Sequence, residues 1–166
     1  MNYREMLLKQ VGLIFRFAGL KDPALQKKIA LEFERDSFKT LRRNRPLLSK
    51  LRKRYQLGIV SNFYGNLPTL CREIGYTPLF SAIIDSAREG VTKPDPEIFM
   101  AALDRLKVRP REAVFVGDSP HRDIAGAKGV GMQRVWLNTF NPKRKPLYKD
   151  DVAIQSLTQL ERILLP

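Results

Sequence analysis

The stretch VFVGDSPHRDIAGAKGVGM, residues 114–132, decides how this chain is read. Val114 to Gly117 is a short apolar run closed by a turn signal, the pattern of a buried strand. It delivers Asp118 at its C-terminal mouth. Asp123 follows five residues later, where a short helix over DIAGAKGVG (123–131) is expected to begin. Hard divalent cations take carboxylate oxygens, so an acid at a strand end and a second at a helix start form a candidate cation site. Each has a plainer reading beside it, because either aspartate could simply cap the helix that follows.

Working outward, the same grammar recurs. LGIV (57–60) reads as a strand ending at Ser61, SAIID (81–85) as a second, AVFVG (113–117) as the third and RVWLN (134–138) as the fourth. Between them lie LPTLCREIG (67–75), a helix, and DPEIFMAALDRLK (95–107), a helix with Asp95 as N-cap and Pro96 in its first turn. NPKRKPLYKDD (141–151) is a polar loop and SLTQLERILL (156–165) a terminal helix. Apolar strands alternating with helices predict an α/β fold with a parallel, Rossmann-like sheet flanked by helices.

The first third is different. Residues 1–44 read as helix with no convincing strand. Met6, Leu7, Leu13, Ile14 and Phe17 recur at helical intervals, Gly19 closes that helix, and Asp22-Pro23 opens the next, which carries Leu25, Ile29, Leu31, Phe33 and Phe38. Pro46 is expected to start a fresh helix. The division that follows is a helical segment, 1–45, and an α/β core, 46–166.

Composition sets further bounds. The chain has 166 residues, one domain with an appendage at most, and is 43% apolar. The single cysteine, Cys71, excludes an intramolecular disulfide framework and suits a reducing, cytoplasmic setting. Cys71 shares a helical face with Leu67, Leu70 and Ile74, so it is expected as a buried thiol. No apolar run is long enough for a membrane helix, and charges interrupt the N-terminal apolar residues, as they do not in a signal peptide. Net charge is +13. Residues 1–56 hold 15 Lys and Arg against 5 Asp and Glu, while 57–166 hold 15 against 12. The clusters RRNR (42–45) and KLRKR (50–54) could meet nucleic acid, but the favoured reading is a solvated helical face, because Phe15, Phe17, Phe33 and Phe38 are spaced for packing more than for base stacking.

Ligands of open α/β sheets sit beyond the C-terminal strand ends. There the chain offers Ser61 and Asn62, then Asp85 with Lys93 in TKPDP (92–96), then Asp118, then Asn138. A hydroxyl and backbone N–H groups near a helix start suit a phosphate. Lys93 is a compact cation for phosphate oxygens, and Pro94 restricts it to extended geometry. Asp118 and Asp123 suit Mg2+, which takes one or two carboxylates and completes its shell with water and phosphate. Singly these residues say little. His121, the sole histidine, is read as an exposed loop residue, Asp85 as a strand-end turn residue and Trp136 as core.

In this order the motifs are informative. GIVSN (58–62), TKPDPEIF (92–99) and VFVGDSPHRDIAGAKGVGM with VWLN (114–138) resemble the second, third and fourth motifs of the haloacid dehalogenase (HAD) superfamily, and AIQSLTQLERIL (153–164) is similar to its usual ending. The resemblance covers roughly residues 46–166. It implies a magnesium-dependent phosphatase on a Rossmann-like sheet, acting on a phosphorylated small molecule. Ser61, Asn62 and Lys93 would hold the phosphoryl group, Asp118 would ligate Mg2+, and Asp123 would support the metal directly or through water. Residues 1–45 resemble a remnant of the family's helical cap.

One motif of the family is not found. Its first strand ends in Asp-x-Asp, which supplies the nucleophile and the general acid/base, and no Asp-x-Asp precedes residue 57. The resemblance places that strand centrally, between those of the second and fourth motifs. Without it the sheet is expected as two half-sheets with open edges that invite pairing, and self-association through that edge follows as an expectation. Without a carboxylate nucleophile the two-step covalent route is closed. The favoured reading is therefore a HAD phosphatase lineage whose 166 residues carry no catalytic nucleophile and do not turn over substrate alone, the missing strand lying upstream. Two alternatives stand beside it. One is a non-catalytic protein that binds a phospholigand, or nucleic acid through its basic N-terminal third. In the other, a partner chain supplies the strand.

Overall fold

A computed structural model describes residues 2–141 and 143–165. The chain opens with α1 (Tyr3–Phe17), capped by Asn2, whose side chain accepts from Glu5 N while Glu5 reaches back to Asn2 N. The turn that follows places Gly19 at φ +68, and Asp22 then caps α2 (Pro23–Arg52) by accepting from Leu25 N. Leu7, Val11 and Phe15 of α1 pack on Ala30 and Ile29 of α2. Other apolar residues of this segment do not pack as their spacing suggests. Leu13, Ile14, Phe17 and Phe33 are exposed, Phe17 at 97%.

The expected helix start at Pro46 is not observed. Pro46 lies inside α2, which runs unbroken for 30 residues across the 45/46 boundary. Proline removes one helical hydrogen bond and crowds the preceding turn, at a cost of about 3 kcal/mol. The residues beyond it provide the compensation. Leu47 and Leu51 are buried in one cluster and Leu48 packs in another.

From Gly58 the elements alternate: β1 (Gly58–Ser61), α3 (Leu67–Glu73), β2 (Ala82–Asp85), the single turn α4 (Ser86–Glu89), α5 (Pro96–Leu106), β3 (Val114–Gly117), a wide π-helical turn over Pro120–Ile124, α6 (Ala125–Gly129), β4 (Gln133–Leu137), β5 (Val152–Ile154) and α7 (Leu160–Leu164). Both α4 and β5 go unannounced by the sequence pattern. β5 is only three residues long, too short to show period-2 alternation.

Every strand pair is parallel, and the pairs form two separate ladders. β1 pairs with β2, Ser61 opposite Asp85, while β3, β4 and β5 form a second sheet in that order. The same helical layers nevertheless cover both. On one face, Val60 and Ile84 of the first ladder and Phe115 of the second pack on Ile98, Phe99 and Leu103 of α5. On the other, α2 spans both ladders, with Leu48 in the cluster of Ile59 and Ile83, and Leu47 and Leu51 in that of Val114, Val116 and Val135.

Burial shows where the sheet is incomplete. In a covered parallel sheet the inner strands are the most protected. Here β2 and β4 hold fully buried side chains (Ile84, Val135, Trp136), whereas no residue of β1 or β3 is buried. Among the described residues no strand pairs with the free edges of β1 and β3. The two half-sheets expected from the sequence are thus observed.

Candidate functional site

The residues after the strands meet at one end of the sheet, and Lys93 is their hub. Its backbone is held first. Asn62 accepts from Lys93 N at 2.8 Å through Oδ1 and donates from Nδ2 to Lys93 O at 3.1 Å. The segment turns immediately, with Asp95 N donating to Thr92 O, and Asp95 then caps α5 by accepting from Glu97 N. The side chain of Lys93 runs back over the sheet, its amine 5.6 Å from the Phe115 ring centroid. Nζ donates to Val60 O at 3.0 Å and lies 2.7 Å from Asp123 Oδ1. Lys93 and Asp123 are both largely buried there, with side chains 13% and 5% exposed. The contact is an ion pair without hydrogen-bond geometry.

Asp123 is fixed from its other side. Oδ2 accepts from Ser119 N at 2.9 Å. Gly117 makes the approach possible, since a Cβ there would stand 2.6 Å from Asp123 Cγ and 2.7 Å from Oδ2. Neither aspartate caps the helix. Ser119 caps the π-helical turn before it, accepting from Arg122 N, and α6 itself has no side-chain cap among the described residues. Asp118 is exposed, and its carboxylate makes no hydrogen bond or ion pair among the described residues, while its backbone carbonyl accepts from Trp136 Nε1 at 3.0 Å. Ser61 is half-buried at the end of β1, and its hydroxyl engages no protein group among the described residues.

Ser61, Asn62, Lys93, Asp118 and Asp123 therefore gather at one sheet edge. Asn62 departs from its expected use, since its side-chain amide is spent holding the Lys93 backbone. Asp85 is more than a turn residue. It is 1% exposed and accepts from Gly65 N, Leu67 N and Ala87 N, which pins the loop after Ser61. Its signal in the sequence is an acid at a strand end, but two of the three donors, Gly65 N and Leu67 N, become neighbours only in the fold. His121 is exposed and Trp136 buried, in line with their sequence readings. Asn138 is buried and closes its own loop, donating to Asn141 O.

The donor set decides what ion would suit the edge. Among the described residues there is no cluster of three or more His, Cys, Asp or Glu side chains. An all-protein cage is therefore not built here. One free carboxylate, Asp118, beside a second that is already engaged, Asp123, matches a small hard cation that keeps water and substrate oxygens in its shell, as Mg2+ does. With both oxygens of Asp123 occupied, support through water suits it better than displacement of Lys93.

Known proteins place these features in context. Residues 9–131 match the family model described as haloacid dehalogenase-like hydrolase. The chain is 40% identical over 85 residues to glyceraldehyde 3-phosphate phosphatase of Pyrococcus furiosus, covering 51% of this chain and 35% of that protein. It is 32% identical over 165 residues to haloacid dehalogenase-like hydrolase domain-containing protein 3 of Bos taurus, covering 96% and 65%. Its fold is similar to the crystal structure of a HAD phosphatase from Thermococcus onnurineus, with a TM-score of 0.67 and 26% identity over 98% of this chain and 88% of that one. The chain thus spans about a third to two thirds of the length of these curated relatives.

Proposed function

Because the chain belongs to the haloacid dehalogenase-like hydrolase family, we propose that its sheet edge is the phosphoryl and Mg2+ pocket of a lineage that hydrolyses phosphate monoesters of small molecules. The observation that carries this reading is the Lys93 amine, buried, held by its backbone through Asn62 and aimed at the edge where Ser61 and Asp118 stand without side-chain partners among the described residues.

The residues divide the work. Lys93 offers positive charge to the phosphoryl oxygens and Ser61 a hydroxyl donor. Asn62 fixes the position of Lys93. Asp118 would hold the metal, and Asp123 would steady Lys93 and the metal's water. Bound Mg2+ would offset charge on the phosphoryl oxygens. Residues 1–45 act as a cap remnant over a core of 46–166, the division falling inside α2. The single reduced cysteine fits a cytoplasmic setting, and no described helix is long and apolar enough to cross a membrane.

The 166 residues contain no Asp-x-Asp, and Asp123 is the only carboxylate paired with Lys93 among those described. Binding without turnover is therefore the expected behaviour of this chain alone. The open edges of β1 and β3 favour a second reading, in which an extended strand provided in trans, by a second copy or a partner, completes the sheet and the site.

The test pairs binding with turnover. Orthophosphate titrated calorimetrically in the presence of Mg2+ should bind the chain and lose at least tenfold in affinity on Lys93→Ala. Hydrolysis of p-nitrophenyl phosphate should be the same for both and no faster than buffer. Phosphate affinity that ignores Lys93→Ala would overturn the pocket. Turnover by the unaltered chain above the Lys93→Ala protein would overturn its inactivity.

A further inference from the structure

The unbroken course of α2 has an effect on charge that a break at Pro46 would have prevented. It brings cations from both basic clusters onto one face of a single rod, while Arg45 turns away to donate to Gly75 O. Lys28, Arg35, Lys39, Arg42, Arg43, Lys50 and Lys53 lie along one side of the helix, at intervals of three, four and seven residues except for the adjacent Arg42 and Arg43; all are exposed, and an acid in the row, Glu32, stands between Lys28 and Arg35. Two of them are engaged by acids, Arg35 by Asp36 and Lys50 by Glu161. Lys28, Lys39, Arg42, Arg43 and Lys53 form no ion pair among the described residues. From Arg35 to Lys53 the row is about 27 Å long at 1.5 Å per residue.

We propose that this face of α2 binds the phosphate backbone of nucleic acid, without reading its sequence. A duplex carries one charge about every 1.7 Å of its axis, so a basic row of this length reaches phosphates where successive strands cross it, whatever the base sequence. Arginine and lysine are the side chains that make such contacts. The row also lacks what other partners require. A membrane-surface helix sets apolar side chains beside its cations to enter the acyl boundary, and from Arg35 to Lys53 this row includes none but Pro46; Leu25 and Leu31 lie nearer its start. The exposed Leu13, Ile14 and Phe17 belong to α1, and the exposed Phe33 of α2 lies on a different side of the helix from the row. A protein interface needs an apolar centre, which the row does not offer. Nor does it carry an aromatic platform for unstacked bases, which makes the binding electrostatic.

The experiment is fluorescence anisotropy of a labelled 20-base-pair duplex, titrated with the chain at several salt concentrations. Five phosphates neutralised give a slope of log affinity against log salt of about −4 to −5. The variant Lys39→Gln, Arg42→Gln, Arg43→Gln, made of exposed helix-forming substitutions, should reduce that slope by about 2.7. It should weaken binding at least tenfold at 50 mM salt while keeping the helical circular dichroism of the parent. A second variant, Lys143→Gln, Lys145→Gln, Lys149→Gln, removes the same charge from the β4–β5 loop and should bind as the parent does. Three results would overturn the proposal: no binding at 50 mM salt, equal losses in the two variants, or displacement of the duplex by polyglutamate or phosphatidylserine vesicles at equal charge. None of them depends on the phosphoryl pocket, whose own titration reads Lys93 alone.

Discussion

The Lys93 amine stands 2.7 Å from Asp123 Oδ1 and 3.0 Å from Val60 O, so one side chain ties the end of β1 to the turn after β3. These strands share no hydrogen-bonded ladder. Lys93 therefore joins the two half-sheets at the level of the site, and it serves structure as well as ligand.

That dual role predicts a large effect from breaking the pair. Asp123→Asn leaves a mostly buried ammonium without its counter-charge, which typically costs about 3–5 kcal/mol. Lys93→Met alone leaves the carboxylate with only Ser119 N on the other side. The double variant Lys93→Met, Asp123→Asn should recover part of the loss. Urea midpoints for the four proteins measure this as a double-mutant cycle. Additive losses would show that the pair is not coupled.

Gly117 and Gly129 should respond in opposite senses to the same methyl group. At Gly117 an added Cβ would press on Asp123 Cγ at 2.6 Å, so Gly117→Ala must displace the carboxylate. Overpacking of this kind costs about 1–3 kcal/mol. Gly129 closes α6, where an added Cβ would meet nothing within 4 Å and φ is not positive. There alanine is expected to be neutral or to stabilise by up to about 1 kcal/mol. Thermal melts of the two variants would settle the contrast, and equal shifts would contradict the close approach at Gly117.

Cys71 should be unreactive while the chain is folded. It is 1% exposed, and burial raises its thiol above the ordinary cysteine range because the thiolate is the form that loses solvation. A raised value means less thiolate at any given pH, and thiolate is the reacting species. Ellman's reagent at pH 8 should modify the native chain slowly and the urea-unfolded chain at once. Rapid labelling of the native protein would show that the α3 face opens.

Much of this is legible in the sequence. Strand ends fall where apolar runs meet Ser61, Asp85 and Asp118, and the two caps at Asp22 and Asp95 mark helix starts because side-chain acceptors and prolines announce themselves locally. Pro46 misleads for the same reason. Proline favours a first helical turn, and only the burial of Leu47 and Leu51 against a distant sheet keeps it inside α2. The function of Asp85 and the latch between Asn62 and Lys93 depend on partners 18 to 31 residues away, which spacing does not reveal. Phe17 and Phe33 show the converse, apolar residues at helical intervals that stay largely exposed.

The span of α2 beneath both ladders bears on cooperativity. Strands in one sheet fold as a unit because each amide bond supports the next, but here that chain of support stops between β1 and β3. Communication between the halves passes through apolar side chains of α2 on one face and α5 on the other, and through the anchoring amine of Lys93. Dispersion and burial fall off within a few ångströms and have little directionality, so each half keeps its own local opening equilibrium, and a strand entering between them would fuse two folding units into one.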